Sequence, residues 1–112
     1  MTIQRLEINV AVEFTPTPGP RKRVEGEFSG EDFLAKLLRP RFVAAVQAGA
    51  PLRVNLDGAA GYPTSFLEEA FGGLAREFSS EKVAGIIEIL CNDEPYLAED
   101  IYKFIREAKT VK

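Results

Sequence analysis

A chain of 112 residues, 46% apolar and 28% charged, has the composition of an ordinary globular protein, and its length suits a single domain over residues 1–112. A formal charge of -3 excludes the strongly basic footprint of a nucleic-acid binder, and no apolar run approaches the roughly 18 residues that span a bilayer. With no histidine and one cysteine, the chain lacks the parts for Ser-His-Asp or Cys-His catalysis, for an internal disulfide and for a structural zinc site. No metal and no cofactor is expected. The single thiol, and an N-terminus without the basic start and apolar run of a signal peptide, point to the cytoplasm.

Arg5 to Phe14 alternates, with Leu6, Ile8, Val10, Val12 and Phe14 on one side, and predicts a half-buried strand. Thr15–Pro20 (TPTPGP) holds three prolines and a glycine and must be a loop. Arg21 to Phe28 predicts a weaker strand, paired with the first as an antiparallel hairpin at a sheet edge. Its basic run Arg21-Lys22-Arg23 reads as a solvated strand or turn. Ser29 then caps a helix whose first turn holds Glu31 and Asp32. Phe33, Leu34, Leu37 and Leu38 form its apolar stripe. Pro40 interrupts the pattern, so Arg41–Ala48 is expected as a second helix, with Gly49 as its stop.

Leu52–Leu56 predicts a short strand. A loop follows, then a helix from about Ser65 to Phe78. Val83 to Leu90 is almost continuously apolar, the signature of a central strand covered on both faces. Asp93 or Glu94 is expected to cap a last helix, with Pro95 in its first turn and Leu97, Ile101, Phe104, Ile105 and Ala108 on its buried face. The tail from Thr110 to Lys112 is expected to fray. The order β-β-α-α-β-α-β-α describes an α/β fold with a mixed sheet of about four strands, its second half a parallel pair with right-handed crossovers.

The segment from Val54 to Phe78 carries the candidate chemistry. On a helical wheel Phe66, Leu67, Ala70, Phe71, Leu74, Ala75 and Phe78 share one half. Ser65, Glu68, Glu69, Gly72, Gly73 and Arg76 share the other, which should face outward. An interior glycine costs about 0.8–1.0 kcal/mol relative to alanine. Two adjacent ones have three readings: a groove flanked by Glu68, Glu69 and Arg76 where a partner docks, a crossing by the chain's own N-terminal segment, or drift. Ser65 and Glu68 have the spacing of a capping box. The hydroxyls of Ser65 and Thr64 are also phosphorylation candidates, since a helix start favours negative charge. Asp57 follows a strand, where ligands gather in open α/β sheets, or else closes an Asx-type turn at Gly58. Asp57, Gly58 and Gly61 form the candidate ligand loop. It lacks the endings and spacings of phosphate-binding loops. No second catalytic group stands near Asp57 or Cys91, and the thiol reads as a buried strand-end side chain.

Pro63 to Glu69, followed by Phe71-Gly72-Gly73-Leu74, resembles the bacterial STAS-like domain-of-unknown-function family through its S-F-L-x-E-x-F-G-G-L core. FSGEDF, Phe28 to Phe33, resembles the segment that precedes the central strand in that family. The resemblance runs over roughly Arg23 to Ile105. In the wider STAS group, anti-sigma factor antagonists carry an Asp-Ser-Ser/Thr-Gly motif at the start of the equivalent helix, and an anti-sigma serine kinase phosphorylates one of its hydroxyls to release the partner. Matching the strands places Ser65 at that hydroxyl, with Pro63 and Phe66 in place of the flanking aspartate and glycine. The last strand and helix of a full STAS domain are missing from the pattern.

The resemblance implies a non-enzymatic, cytoplasmic regulatory module that acts on a protein partner, a histidine-kinase-type ATPase or anti-sigma serine kinase. Docking is expected at the start and outer face of the Ser65 helix. A phosphate there would repel an acidic partner face. The alternative is a small-molecule sensor, with a nucleotide or other anion over the Asp57–Ser65 loop, bound by backbone N–H groups at the helix start.

Overall fold

Three strands of four residues each, all running the same way, carry this fold. The computed structural model describes residues 6–108. β1 (Leu6–Asn9), β2 (Leu52–Asn55) and β3 (Ile87–Leu90) form a parallel sheet in the order β1-β2-β3. Leu6, Leu52 and Ile87 stand in one row, and Ile8, Val54 and Ile89 in another. These are the residues turned to the core. The rows between them, Glu7-Arg53-Glu88 and Asn9-Asn55-Leu90, hold no buried side chain. With the strands in sequential order, right-handed crossovers lay every connecting helix on the same face. The burial pattern matches that arrangement, with no buried side chain on the second face among the described residues.

The expected hairpin does not form, and the expected fourth strand is absent among the described residues. β1 stops at Asn9, whose side chain accepts the Val12 N–H at 3.3 Å. Glu13 accepts the Asn9 N–H at 2.9 Å. These two bonds wind Val10–Glu13 into a single helical turn, α1, and Val12 ends up exposed rather than inward. Residues 21–28 hold only a 3-10 turn, Arg23–Glu25, and bends. Two expectations, the strand start at Arg5 and the frayed tail at Thr110–Lys112, lie outside the described residues.

Ser29 caps the next helix as expected, its Oγ accepting the Asp32 N–H at 3.1 Å. That helix, α2, continues unbroken over residues 30–48, through Pro40. Proline lacks an N–H, and its ring presses on the carbonyl four residues back. The helix meets this with a π-type turn at Leu34–Leu38, where the Arg39 N–H reaches back five residues to Leu34 O. Gly49 stops it in the left-handed region, φ 66°.

α3 spans residues 64–78 and has its own π-type turn at Glu68–Gly72. α4 (Ser80–Ile86) follows at once, its N–H of Lys82 capped by Ser79 Oγ. The strand expected from Val83 therefore begins only at Ile87, and β3 is an edge strand with Glu88 exposed. The central strand is β2. α5 (Tyr96–Glu107) starts after Pro95, with no side-chain cap from Asp93 or Glu94, and buries Leu97, Ile101 and Ile105. The core gathers Ile8, Leu52, Val54 and Ile87 from the sheet with Phe33, Leu38, Phe42, Phe66, Phe71 and Leu74 from α2 and α3.

Candidate functional site

The carboxyl ends of the strands converge on one rim made of α1, the loop of residues 56–63 and the loop of residues 91–95. The chain turns at Asp57 and Gly58, but Asp57 does not make the expected Asx-type turn with its side chain. Its own N–H goes to Asn55 Oδ1 at 2.9 Å. Its carboxylate crosses to the neighbouring loop and accepts the N–H groups of Asn92 (2.7 Å) and Asp93 (2.9 Å) and the Asn92 side-chain amide (3.1 Å). Asp93 returns the bond, accepting the Gly58 N–H at 3.0 Å. Gly58 sits at φ 93°, a conformation open to glycine, and lies against Ala11 of α1. The Ala60 N–H is committed to Pro16 O at 2.7 Å.

Behind this rim the Tyr62 hydroxyl donates to Leu56 O at 2.9 Å. Burial, with the nearby Cys91, Asp57 and Asp93, pushes its pKa upward. The Cys91 thiol donates to Glu94 O at 3.2 Å. Burial raises its pKa, and Asp57, Glu94 and Asp93 add to the rise, outweighing the bond to Glu94. Such a thiol is a poor nucleophile. Among the described residues Asp57, Asp93 and Glu94 join no salt bridge, and no group of acidic or cysteine side chains is placed to hold a metal ion. The rim is thus negatively charged and tightly hydrogen-bonded.

Thr64 and Ser65 open α3 beside it. Thr64 is exposed and Ser65 half-buried. The expected capping box is absent, because Pro63 occupies the cap position and makes no side-chain bond. Glu68 does not reach back to Ser65. It is held by Arg21 and, at 2.7 Å, by Arg76. Glu69 pairs with Lys22 at 2.9 Å and Arg21 at 3.4 Å. Three cations thus answer two carboxylates, so this flank of α3 carries no excess negative charge.

The glycine pair does not form an outward groove. Gly72 is buried, and a Cβ there would lie 2.6 Å from Glu68 Oε2 and 3.2 Å from Arg76 Nη1. Those side chains fold over the helix where a partner was expected. A Cβ on Gly73 would meet Leu34 Cδ2 of α2 at 2.9 Å. Gly72 and Gly73 therefore serve close packing within the chain. Arg21 and Lys22, read as solvated, are the N-terminal segment's hold on α3. The signal for them was an acidic pair facing a basic run 47 residues away.

Two exposed apolar residues on the rim escaped the sequence reading, Val12 at 80% and Tyr96 at 57% exposure. The period-two pattern assigned Val12 to the core, and Tyr96 falls off the apolar stripe of α5. The Tyr96 hydroxyl bonds Glu94.

A three-stranded parallel sheet with its connecting helices on one face makes this a small α/β domain. The family model described as a STAS-like domain of unknown function (DUF4325) matches residues 29–97, more than half of the chain, and the chain belongs to that family. No curated protein and no solved structure matches the chain. Among the described residues no helix is long and apolar enough to cross a membrane.

Proposed function

We propose that this chain is a non-enzymatic regulatory module whose protein partner docks on the carboxyl rim, over the first turn of α3. The observation that carries the reading is the state of Thr64 and Ser65. Both hydroxyls stand at a helix start, and neither is spent as its cap. On the same rim Val12 of α1 and Tyr96 at the start of α5 are exposed apolar side chains, and Asp57, Asp93 and Glu94, which no cation pairs among the described residues, favour a partner with a basic face. Phosphate on Thr64 or Ser65 adds a charge of about -1.5 to -2 and so controls affinity. The partner class is the one the STAS resemblance implies, a histidine-kinase-type ATPase or serine kinase.

The rim supports docking over the anion-sensor alternative for a physical reason. The N–H groups of Gly58 and Ala60 are already bonded within the chain, and Asp57 and Asp93 repel an anion. Asp57 and Cys91 are likewise committed to holding loops, which supports the non-enzymatic reading.

The test is capture from native lysate by wild type, Thr64→Arg, Tyr96→Lys and the remote control Lys103→Glu, with mass spectrometry of the captured proteins and of Thr64 and Ser65. A partner lost with the two rim variants and kept by the control supports rim docking. A partner kept by all four, or none captured by wild type, overturns it. Unmodified Thr64 and Ser65 in cells that contain the partner would remove the phosphorylation half.

A further inference from the structure

The outer edge of β1 is closed by two side chains. Arg41, from α2, donates through Nη1 to Glu7 O at 3.1 Å and pairs through Nη2 with Glu13 Oε1 at 2.7 Å. The other Glu13 oxygen accepts the Asn9 N–H at 2.9 Å. Glu7 C=O and Asn9 N–H are the acceptor and donor, two residues apart, that a strand added beyond β1 would use. One guanidinium and one carboxylate, themselves joined, thus stand in for a residue of a missing strand. The opposite edge is met at a single residue: the Ile87 N–H goes to Val83 O and Ile87 O accepts the Tyr102 hydroxyl at 3.1 Å.

We propose that the Arg41–Glu13 pair is an edge plug, and that removing it turns β1 into a site for β1 of a second copy. An unpaired edge strand is a template for another strand, and charged side chains laid over it are one way that proteins prevent pairing. The occupant follows from the residues of β1. In an antiparallel pair centred on Ile8, Glu7 stands opposite Asn9 of the second copy and Ile8 opposite Ile8. No like charges face each other. The two groups freed by the plug are the ones this register joins, since each Asn9 N–H meets the Glu7 C=O of the other copy. The pairing joins two three-stranded sheets into one of six.

The experiment is sedimentation equilibrium over a range of concentration, with amide exchange read at Asn9, on wild type and on the double variant Arg41→Ala/Glu13→Ala. Wild type is expected to stay monomeric, with Asn9 protected equally at every concentration. The double variant is expected to double its mass as concentration rises, with Asn9 gaining protection only as it does so. A double variant that keeps its near-UV circular dichroism and stays monomeric overturns the proposal. So does a wild-type protein whose Asn9 exchange depends on concentration. If the double variant does not fold, Arg41→Met/Glu13→Met decides: it keeps the apolar length of both side chains while freeing Glu7 O and the Asn9 N–H, and is expected to gain mass with concentration. A folded, monomeric Arg41→Met/Glu13→Met, with the alanine variant unfolded, also overturns the proposal.

Discussion

Asp57 and Asp93 each hold the backbone of the other's loop. Asp57 Oδ1 accepts the Asp93 N–H at 2.9 Å, and Asp93 Oδ2 accepts the Gly58 N–H at 3.0 Å. Two carboxylates at adjacent strand ends would ordinarily repel. Here each is answered by backbone dipoles, and Asp57 gains the N–H and side-chain amide of Asn92 as well. The exchange ties the loops after β2 and β3 together.

Replacing Asp57 by alanine leaves three donors without their acceptor. Hydrogen bonds to charged groups contribute about 1.5–3 kcal/mol each when well shielded, and this rim is largely exposed. The expected loss is therefore about 1–2 kcal/mol in total, read as a lower urea midpoint with an unchanged slope. The amides of Asn92 and Asp93 should exchange faster while those of β2 keep their protection. A role confined to ligand binding would leave both readings unmoved.

Glycines at helix crossings separate in the same assay. A Cβ on Gly30 would lie 2.6 Å from Phe66 O and 3.1 Å from Phe66 Cα, both backbone atoms that cannot swing aside. Gly30→Ala is expected to cost about 1–3 kcal/mol through overpacking. At Gly72 the obstacle is the end of the Glu68 side chain, which can move if it loosens its hold on Arg21 and Arg76. Gly72→Ala gains about 0.8–1.0 kcal/mol of helix propensity against that loss and should be close to neutral. A large cost at Gly72 would mean that the Glu68 pairs are stronger than partly exposed ion pairs usually are.

The features legible in the sequence are those set by neighbours in the chain. Ser29 as a cap, Gly49 as a stop, the Leu52–Leu56 strand and the Leu97-Ile101-Ile105 stripe all follow from residues within a turn or two of each other. The family signature from Ser65 to Leu74 was equally readable, and with it the STAS-like class. Failures arose where a local polar bond overrode an apolar pattern. Val12 continued a perfect alternation, yet Asn9 and Glu13 captured two N–H groups and wound the strand into a helix. Val83 and Ile86 read as strand, yet Ser79 capped them into α4. Pro40 read as a break because a π-type turn has no signature in hydrophobic period. The site's charge balance was hidden for another reason: Arg21 and Glu68 meet only through the fold.

Acid should loosen the hold of the N-terminal segment on α3. Burial raises the pKa of Glu68, but the hydrogen bonds and charges of Arg76 and Arg21 outweigh it and set the carboxyl below the ordinary 4.5. Glu13 is shifted the same way: burial raises it, and the Asn9 N–H and Arg41 lower it further than that. A carboxylate whose folded pKa is depressed adds stability above its unfolded value and loses it as pH falls through the folded one. Unfolding midpoints should therefore be flat above pH 4.5 on account of these groups and decline below it. Glu68→Gln should shallow that decline, because its neutral amide does not titrate. An unchanged acid limb in Glu68→Gln would place the acid sensitivity elsewhere.

Ser79 offers a test in which two small substitutions move stability in opposite directions. The residue joins α3 to α4 at φ 91° and ψ 146°, backbone that side chains with a Cβ adopt only under strain of order 1–3 kcal/mol. Its hydroxyl nonetheless earns the position a cap, accepting the Lys82 N–H at 3.3 Å. Ser79→Ala keeps the strain and loses the cap, and should destabilise by about 1 kcal/mol. Ser79→Gly removes the strain. Glycine at a cap position costs only a few tenths of a kcal/mol relative to serine, and the added freedom of the unfolded chain costs about 0.4–1 kcal/mol. The net expectation is a gain of up to about 2 kcal/mol, read as a higher urea midpoint. If both variants fall by a similar amount, the cap outweighs the strain, and the sharp turn between the helices is held by the serine rather than in spite of it.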